Sequence, residues 1–390
     1  MRNSIAILIC LSVGAAAQAA PYTPVDDAQV LARIPAGAAR GQANPLRTLQ
    51  AQLRRAPADV ETAVKLAQAQ IALARSESDP RFLGNAQATL KTWWDAPNPP
   101  ERILLLRAIV RQSNHEFEPA VADLEAALRA NPRDAQAWLT LSTVQLVMGR
   151  IAAARASCER LRDLTAPLVY VTCIAGADGL SGRAAQALSA LQAAQARGAT
   201  LPPPVRSWSA TLAGEIAERL GRVADAERQF RQGAALDPDD VYARNALADF
   251  LLNQDRAAEA RAVLPGEAGK SDPTLLRIAI AARRAADAQA PALESLLFAR
   301  LAASRERGEA LHLREEARAL LELRNDAQGG LELAQRNWLV QKETADARLL
   351  LAAAVAARDR KAAAPVLAWI QENRVEDTLL ASLAAELGAR

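Results

Sequence analysis

The chain is poor in several residue types, and each shortage removes a class of function. Aromatic residues make up 4% of the 390 positions, so an extended platform for stacking sugars or bases is missing. There are two histidines, His115 and His312, and neither has a cysteine or a second histidine at ligand spacing. Lysine occurs only at 65, 91, 270, 342 and 361. The 47 basic residues, mostly arginine, nearly balance 44 acidic ones, which argues against a phosphate-binding field and hence against nucleic acid. Clusters of Val, Ile, Thr and Tyr that would mark strands are scarce, whereas alanine, the best helix former, is abundant. The expectation is an all-α protein.

Long apolar runs are also lacking, with one exception at the N-terminus. Arg2 precedes an apolar run from Ile5 to Ala17, too short for a membrane-spanning helix, and Ala17-Gln18-Ala19 offers the small-x-small pattern of a cleavage site. Residues 1–19 therefore read as a signal peptide cut after Ala19, which predicts an exported, periplasmic protein of 390 − 19 = 371 residues. An uncleaved N-terminal anchor is the alternative. Lipidation at Cys10 is disfavoured because Ile9 is too bulky for the position before a lipidated cysteine. The mature chain keeps Cys158 and Cys173, fifteen positions apart. They are compatible with a disulfide in an exported protein, or with two small buried thiols in a helix seam.

What the chain does contain is a small residue at a fixed interval. Ala86, Ala120, Ala154, Ala187, Ala226 and Ala260 are separated by 34, 34, 33, 39 and 34 positions. Most follow a short turn, as in Gly149-Arg150 before Ala154 and Gly221-Arg222 before Ala226. In residues 135–167, Trp138, Leu141, Ser142 and Gln145 lie at helical spacing. Met148-Gly149-Arg150 interrupts the run, and Ala154, Cys158 and Leu161 share one face of a second helix. Glycine permits the turn, alanine permits close approach of the two helices, and Pro167 ends the unit. Neither helix has enough apolar area alone, so such pairs must stack.

These residues resemble the tetratricopeptide repeat, a 34-residue helix-turn-helix unit. Pro119-Ala120, Leu124, Ala127 and Asn131-Pro132 match one second half, and Trp138, Leu141, Gly149 and Ala154 match the next unit. Ala213-Gly214, Gly221, Ala226, Phe230 and Asp237-Pro238 match another, followed by Leu247-Ala248, Asp255 and Ala260. Val171, Ile174, Gly182, Ala187 and Leu191 form a weaker unit. Gly330 and Ala364, again 34 apart, mark degenerate C-terminal units. The resemblance implies an α-solenoid, a right-handed superhelix of stacked helix-turn-helix repeats.

The domain boundaries follow. Residues 20–45 form an extended or poorly ordered segment, and 46–265 an N-terminal array with an insert at Ser76–Gly84. The longer interval in this array contains Pro202-Pro203-Pro204, a stiff connector that offsets the stack. Residues 266–308 are an irregular helical joint or a modified unit. Residues 309–390 are a degenerate C-terminal array ending in a capping helix, Glu376–Leu387.

No cofactor loop or catalytic constellation is present: Gly329-Gly330 lacks a following Lys-Ser or Lys-Thr, and the carboxylates are scattered over helix faces. The resemblance instead implies that first-helix positions line a concave groove that binds a protein or peptide partner. The groove residues expected are Gln136, Leu139, Thr143 and Leu146; Trp208, Thr211, Glu215 and Glu218; and Tyr242, Asn245, Asp249 and Leu252. Arg102, Leu105, Ile109 and Gln112 come before them. The 3-4-3 spacing keeps each set on one face. No paired Lys/Arg clamp for a terminal carboxylate is present in this groove. A non-catalytic periplasmic scaffold is the leading expectation. A cell-wall glycan-binding module and an enzyme on an α-superhelical scaffold are the alternatives.

Overall fold

The computed structural model describes residues 43–76, 79–264, 271–306 and 313–389. The leader, most of the 20–45 segment and His312 lie outside the described residues. The chain divides into two units, residues 1–48 and 49–390. In the first, residues 43–48 belong to helix α1 (Ala43–Arg55), so the segment expected to be irregular to 45 is helical from Ala43. All that follows concerns the second.

Helices follow one another without strands among the described residues. The first pair is α2 (Val60–Ser76) and α3 (Arg81–Thr89), with α4 (Lys91–Trp94) as a short continuation. The 76–84 insert is therefore partly helical. Then come α5 (Glu101–Ser113) with α6 (Phe117–Ala130), α7 (Ala135–Val147) with α8 (Ile151–Glu159), and α9 (Pro167–Asp178) with α10 (Ala184–Arg197). Next are α11 (Pro203–Arg219) with α12 (Val223–Leu236), and α13 (Val241–Asn253) with α14 (Ala257–Val263). The C-terminal part holds α15 (Asp272–Arg284) with α16 (Ala290–Glu306), and α17 (Leu313–Ala319, prolonged by a π turn over Leu320–Arg324) with α18 (Ala327–Val340). The chain ends with α19 (Thr344–Ala357), α20 (Ala364–Asn373) and α21 (Thr378–Ala389).

The alanine period is a packing period. Ala86, Ala120, Ala154, Ala226 and Ala260 are fully buried and Ala187 is 5% exposed. Gly214 shows how tight a seam becomes, since a methyl group there would stand 2.8 Å from the Phe230 ring. In the last pair the buried small residue is Ala363, not the expected Ala364, which is exposed. The pattern has slipped by one position there.

A second period lies in the turns between paired helices. His115, Gly149, Gly182, Gly221, Asp255, Ala286, Asn325 and Arg358 all adopt the left-handed conformation, with φ between 53° and 74°. Six of these turns share a further bond, in which the residue after the left-handed one donates its amide five residues back. Arg150 N to Gln145 O (2.7 Å) and Arg256 N to Leu251 O (2.9 Å) are examples. This closure satisfies carbonyls that the helix end leaves open.

Of the 266–308 segment, residues 271–306 are described, and they form a modified unit rather than a joint. Helices α15 and α16 pack as a pair, and Leu275, Ile278, Leu297 and Leu301 continue the core that begins at Leu168. The sequence period fails there because the turn residue is Ala286 rather than glycine, and because Pro273 and Pro291 lie in first turns, where they begin helices.

First helices of successive pairs touch one another, from α5 on α7 to α17 on α19, whereas second helices make no comparable contact with their counterparts. The stack therefore curves with the first helices on its inner face. The curvature brings the C-terminal pairs back onto the earlier turns. The Lys342 amide donates to Val147 O at 2.7 Å, and the Ala184 amide donates to the Glu376 carboxylate at 2.8 Å. A methyl group on Gly149 would meet Lys342 Cβ at 3.0 Å, and one on Gly182 would meet Arg374 Cβ at 3.2 Å. Glycine at these two turns answers both the backbone twist and the close approach. Ile151 and Ala177 accordingly share a core with Trp338, Trp369 and Leu350.

Candidate functional site: the inner face of the stack

The expected groove residues separate into three groups. Gln136, Thr143 and Tyr242 are exposed or half-buried, as are Leu139 and Trp208. Thr211, Asn245 and Leu252 are buried, at 2%, 8% and 1% exposure, and do not line the face. The 3-4-3 spacing names a helix stripe but not its rotation. On α11 and α13 the stripe turns into the seam, where Asn245 accepts from Thr274 Oγ1 at 3.2 Å.

Leu146, Glu218 and Asp249 form the third group, engaged by the chain itself. Leu146 packs against the C-terminal core. Glu218 accepts from Arg348 at 2.7 Å, and Asp249 accepts from Arg318 at 2.7 Å and from Arg277. Burial pushes the Asp249 carboxyl up, but the two guanidinium groups outweigh it and hold the pKa below the usual carboxylate range. The inner face at α11 and α13 is therefore spanned by arginines from α17 and α19.

Glu215 and Tyr242 face this polar crossing. The Tyr242 hydroxyl donates to Glu215 Oε1 at 2.5 Å. Burial raises the Glu215 pKa against the opposing pull of Tyr242 and Arg219. The Glu215 charge and then burial raise Tyr242 well above a normal phenol, with Glu343 adding to it. Tyr242 is nevertheless 63% exposed. Its hydroxyl is thus held at the polar crossing while the rest of the side chain is open to solvent. Arg219 lies beside it, buried, with no hydrogen-bond partner at Nε or Nη2. Burial lowers its pKa despite the nearby carboxylates.

A strip of apolar and aromatic side chains runs along the first helices upstream of that crossing. Leu105, Leu139, Trp208 and Tyr242 follow at intervals of 34, 69 and 34, one helix-pair period or close to two. Tyr170 and Ile174 fill the intervening unit and pack with Leu139 and Trp208 around Cys158, Leu161 and Cys173. Tyr170 was not among the expected groove residues, because its unit matches the repeat pattern weakly. Cys158 and Cys173 are joined in a disulfide beneath this strip, with their Cα atoms 5.5 Å apart. Tyr170 also donates to Glu159 at 3.0 Å and carries Arg162 over its ring, which fixes it upright.

Trp93 and Trp94 have structural rather than binding surroundings. Trp93 is 9% exposed and belongs to the first core, while Arg111 lies over the ring of Trp94. Arg107, 6% exposed, donates to the carbonyls of both tryptophans and makes a two-pronged bond with Asp123 (2.6 and 2.8 Å). One guanidinium thus closes a helix end and ties the first pair to the second.

Antiparallel helix pairs with a small residue in every seam and a left-handed turn between paired helices define an α-solenoid. Residues 105–167 and 211–273 match the tetratricopeptide repeat family model. Those two stretches of the chain carry tetratricopeptide repeats. Similar solved structures include a thermophilic tetratricopeptide-repeat protein of Thermus thermophilus at 22% identity, covering 52% of this chain and 98% of that one with a TM-score of 0.38. The type IV pilus biogenesis factor PilW matches at 19% identity over 51% of this chain and 92% of its own, with a TM-score of 0.40. The Rap protein complexed with Competence and Sporulation Factor matches at 13% identity over 88% of this chain and 97% of its own, with a TM-score of 0.51. That last likeness is one of fold. No curated protein matches the chain in sequence.

Proposed function

We propose that the protein is an exported, non-catalytic scaffold that holds a protein or peptide partner against the inner face of its stack. The observation that carries this reading is the strip of Leu105, Leu139, Tyr170, Ile174, Trp208 and Tyr242. It is incompletely covered by the chain, mounted on rigid helices and flanked by the neutral polar groups of Gln136 and Thr143. A partner helix or extended segment buries apolar side chains on such a strip and satisfies its own polar groups at the margin. The polar crossing at Glu218, Asp249, Arg318 and Arg348 bounds the strip on its C-terminal side. The N-terminal leader read from the sequence supports a partner in the cell envelope.

The test is affinity capture from envelope extract with the full mature chain and with Thr143→Arg/Tyr242→Ala, two positions outside the core whose replacement leaves the seams intact. The reading expects a defined partner band that the double variant loses. Unchanged capture by the variant rejects the inner face as the binding surface. Co-sedimentation with cell-wall polysaccharide examines the glycan alternative, for which Trp208 and Tyr242 are the stacking residues.

A further inference from the structure

The 39-residue interval leaves a physical mark away from the inner face. Helix α11 has 17 residues where α7 has 13, so most of the five extra positions appear as one added turn at its start. That turn, entered through Pro202, contains Arg206. A cavity of about 380 Å³ opens there between α10 and α12, within the range of about 300–1,000 Å³ typical of small-ligand sites.

The lining has one consistent chemistry. Gln192 and Gln195 come from α10, and Gln229 and Gln232 from α12. Arg206 and Arg228 stand at the sides, and Leu168 forms an apolar wall. Gln195 and Gln229 exchange amide hydrogen bonds at 3.3 Å in both directions, and Gln195 is further held by Ser209. That pairing fixes the floor. Gln192, Gln232 and Arg206 make no side-chain hydrogen bond or ion pair among the described residues, so their donors and acceptors are available to a ligand. No carboxylate lines the cavity. Arg228 is neutralised by Asp225 at 2.6 Å, which leaves Arg206 as the single uncompensated charge of the lining.

We propose that this cleft binds a carboxylate carried on a short amide-bearing chain. One net positive charge matches a monoanion better than a phosphate dianion. A guanidinium fork fits a planar carboxylate. Free glutamine side chains both donate and accept, as the peptide groups next to a carboxylate require. No aromatic side chain lines the space, so a sugar ring has nothing to stack on. The amides distinguish such a chain from a simple organic acid, for which succinate is the probe below.

The test is isothermal titration of the mature chain with acetyl-trialanine, its C-terminal amide, succinate and inorganic phosphate. Saturable binding of the free acid is expected, with the amide at least tenfold weaker. Succinate binding as tightly as the peptide would leave the free glutamines without a role and would overturn the amide-bearing part of the assignment. Arg206→Ala should weaken binding tenfold or more. Gln232→Glu should do likewise by repulsion, while Tyr242→Ala on the inner face leaves it unchanged. Arg206 and Gln232 hold no partner among the described residues, so both variants should keep the wild-type melting curve. Equal binding of acid and amide, phosphate bound more tightly than any carboxylate, an Arg206→Ala variant of unchanged affinity, or no binding at all would each overturn the assignment.

Discussion

Arg348 on α19 donates to Glu218 at the end of α11 at 2.7 Å, joining two residues 130 positions apart in the chain. The same guanidinium reaches Asp377 at 2.9 Å, and the Asp377 side chain is fully buried. Removing Arg348 therefore leaves two carboxylates in a low-dielectric seam without their cation. Arg348→Ala should destabilise by about 3–5 kcal/mol, the usual result of breaking a buried pair from one side. Glu218→Gln should cost less, because Asp377 still neutralises the arginine. Urea unfolding measures the difference, and limited proteolysis should show new cleavage within residues 340–377 in the alanine variant.

Two glycines should respond in opposite directions. Gly214→Ala drives a methyl into the Phe230 ring and should destabilise by about 1–3 kcal/mol through overpacking. Gly84 lies exposed inside α3 with open space around its missing side chain. Gly84→Ala should stabilise by about 0.5–1 kcal/mol, since only backbone freedom is removed. Thermal melts of the two single variants provide the comparison.

Acid should loosen the array through its depressed carboxylates. Hydrogen bonds from Arg256 and then Arg231 hold the Glu227 pKa at about 2, and Asp249 also lies below its ordinary value. A folded pKa below the unfolded one gives stability that is complete above about pH 5 and is lost as pH falls through the window from about 4.5 towards 2. The urea midpoint should decline across that window, and Glu227→Gln should flatten the decline. An equal slope in wild type and variant would remove Glu227 as a contributor.

The disulfide closes a sequence separation of 15 residues between α8 and α9. Cys158→Ser/Cys173→Ser should cost roughly 3 kcal/mol in the chain-entropy picture. Both sulfurs are buried, so reductant should act on the native protein only through opening. Two titratable thiols in denatured, unreduced protein from the envelope would contradict the bond.

N-terminal sequencing of protein recovered from its native compartment should begin at Ala20. A mature chain beginning at Met1 would remove cleaved export from the proposed function.

Local rules were enough for the helices and for most of their seams. An alanine or glycine every 34 residues or so is a steric requirement, and Ala120, Ala154 and Ala226 are buried as a seam position must be. The inner face was only half legible. Spacing put Gln136, Thr143 and Tyr242 on an accessible stripe, yet the same rule misplaced Thr211, Asn245 and Leu252, because the rotation of a helix is set by what it packs on. Asp255, Ala286, Asn325 and Arg358 hide the turn period, since each holds a left-handed turn without glycine. Nothing local announces that Glu218 belongs to Arg348, or Asp249 to Arg318. Those pairs come from curvature accumulated over many units, and a sequence window shorter than that curvature cannot contain them. The 380 Å³ cleft was not legible either: Pro202-Pro203-Pro204 reads as a connector, whereas Pro203 and Pro204 begin α11.

The glycines at 149 and 182 have a mechanical consequence. An open tandem array frays from its ends and stretches like a spring, because every unit touches only its nearest neighbours. Here Lys342 and Arg374 sit on those glycines, so the far end is latched near the middle. Pulling the ends of the stack apart must first release that latch, and damage at Gly149 strains both its own turn and the distant downstream unit that rests on it.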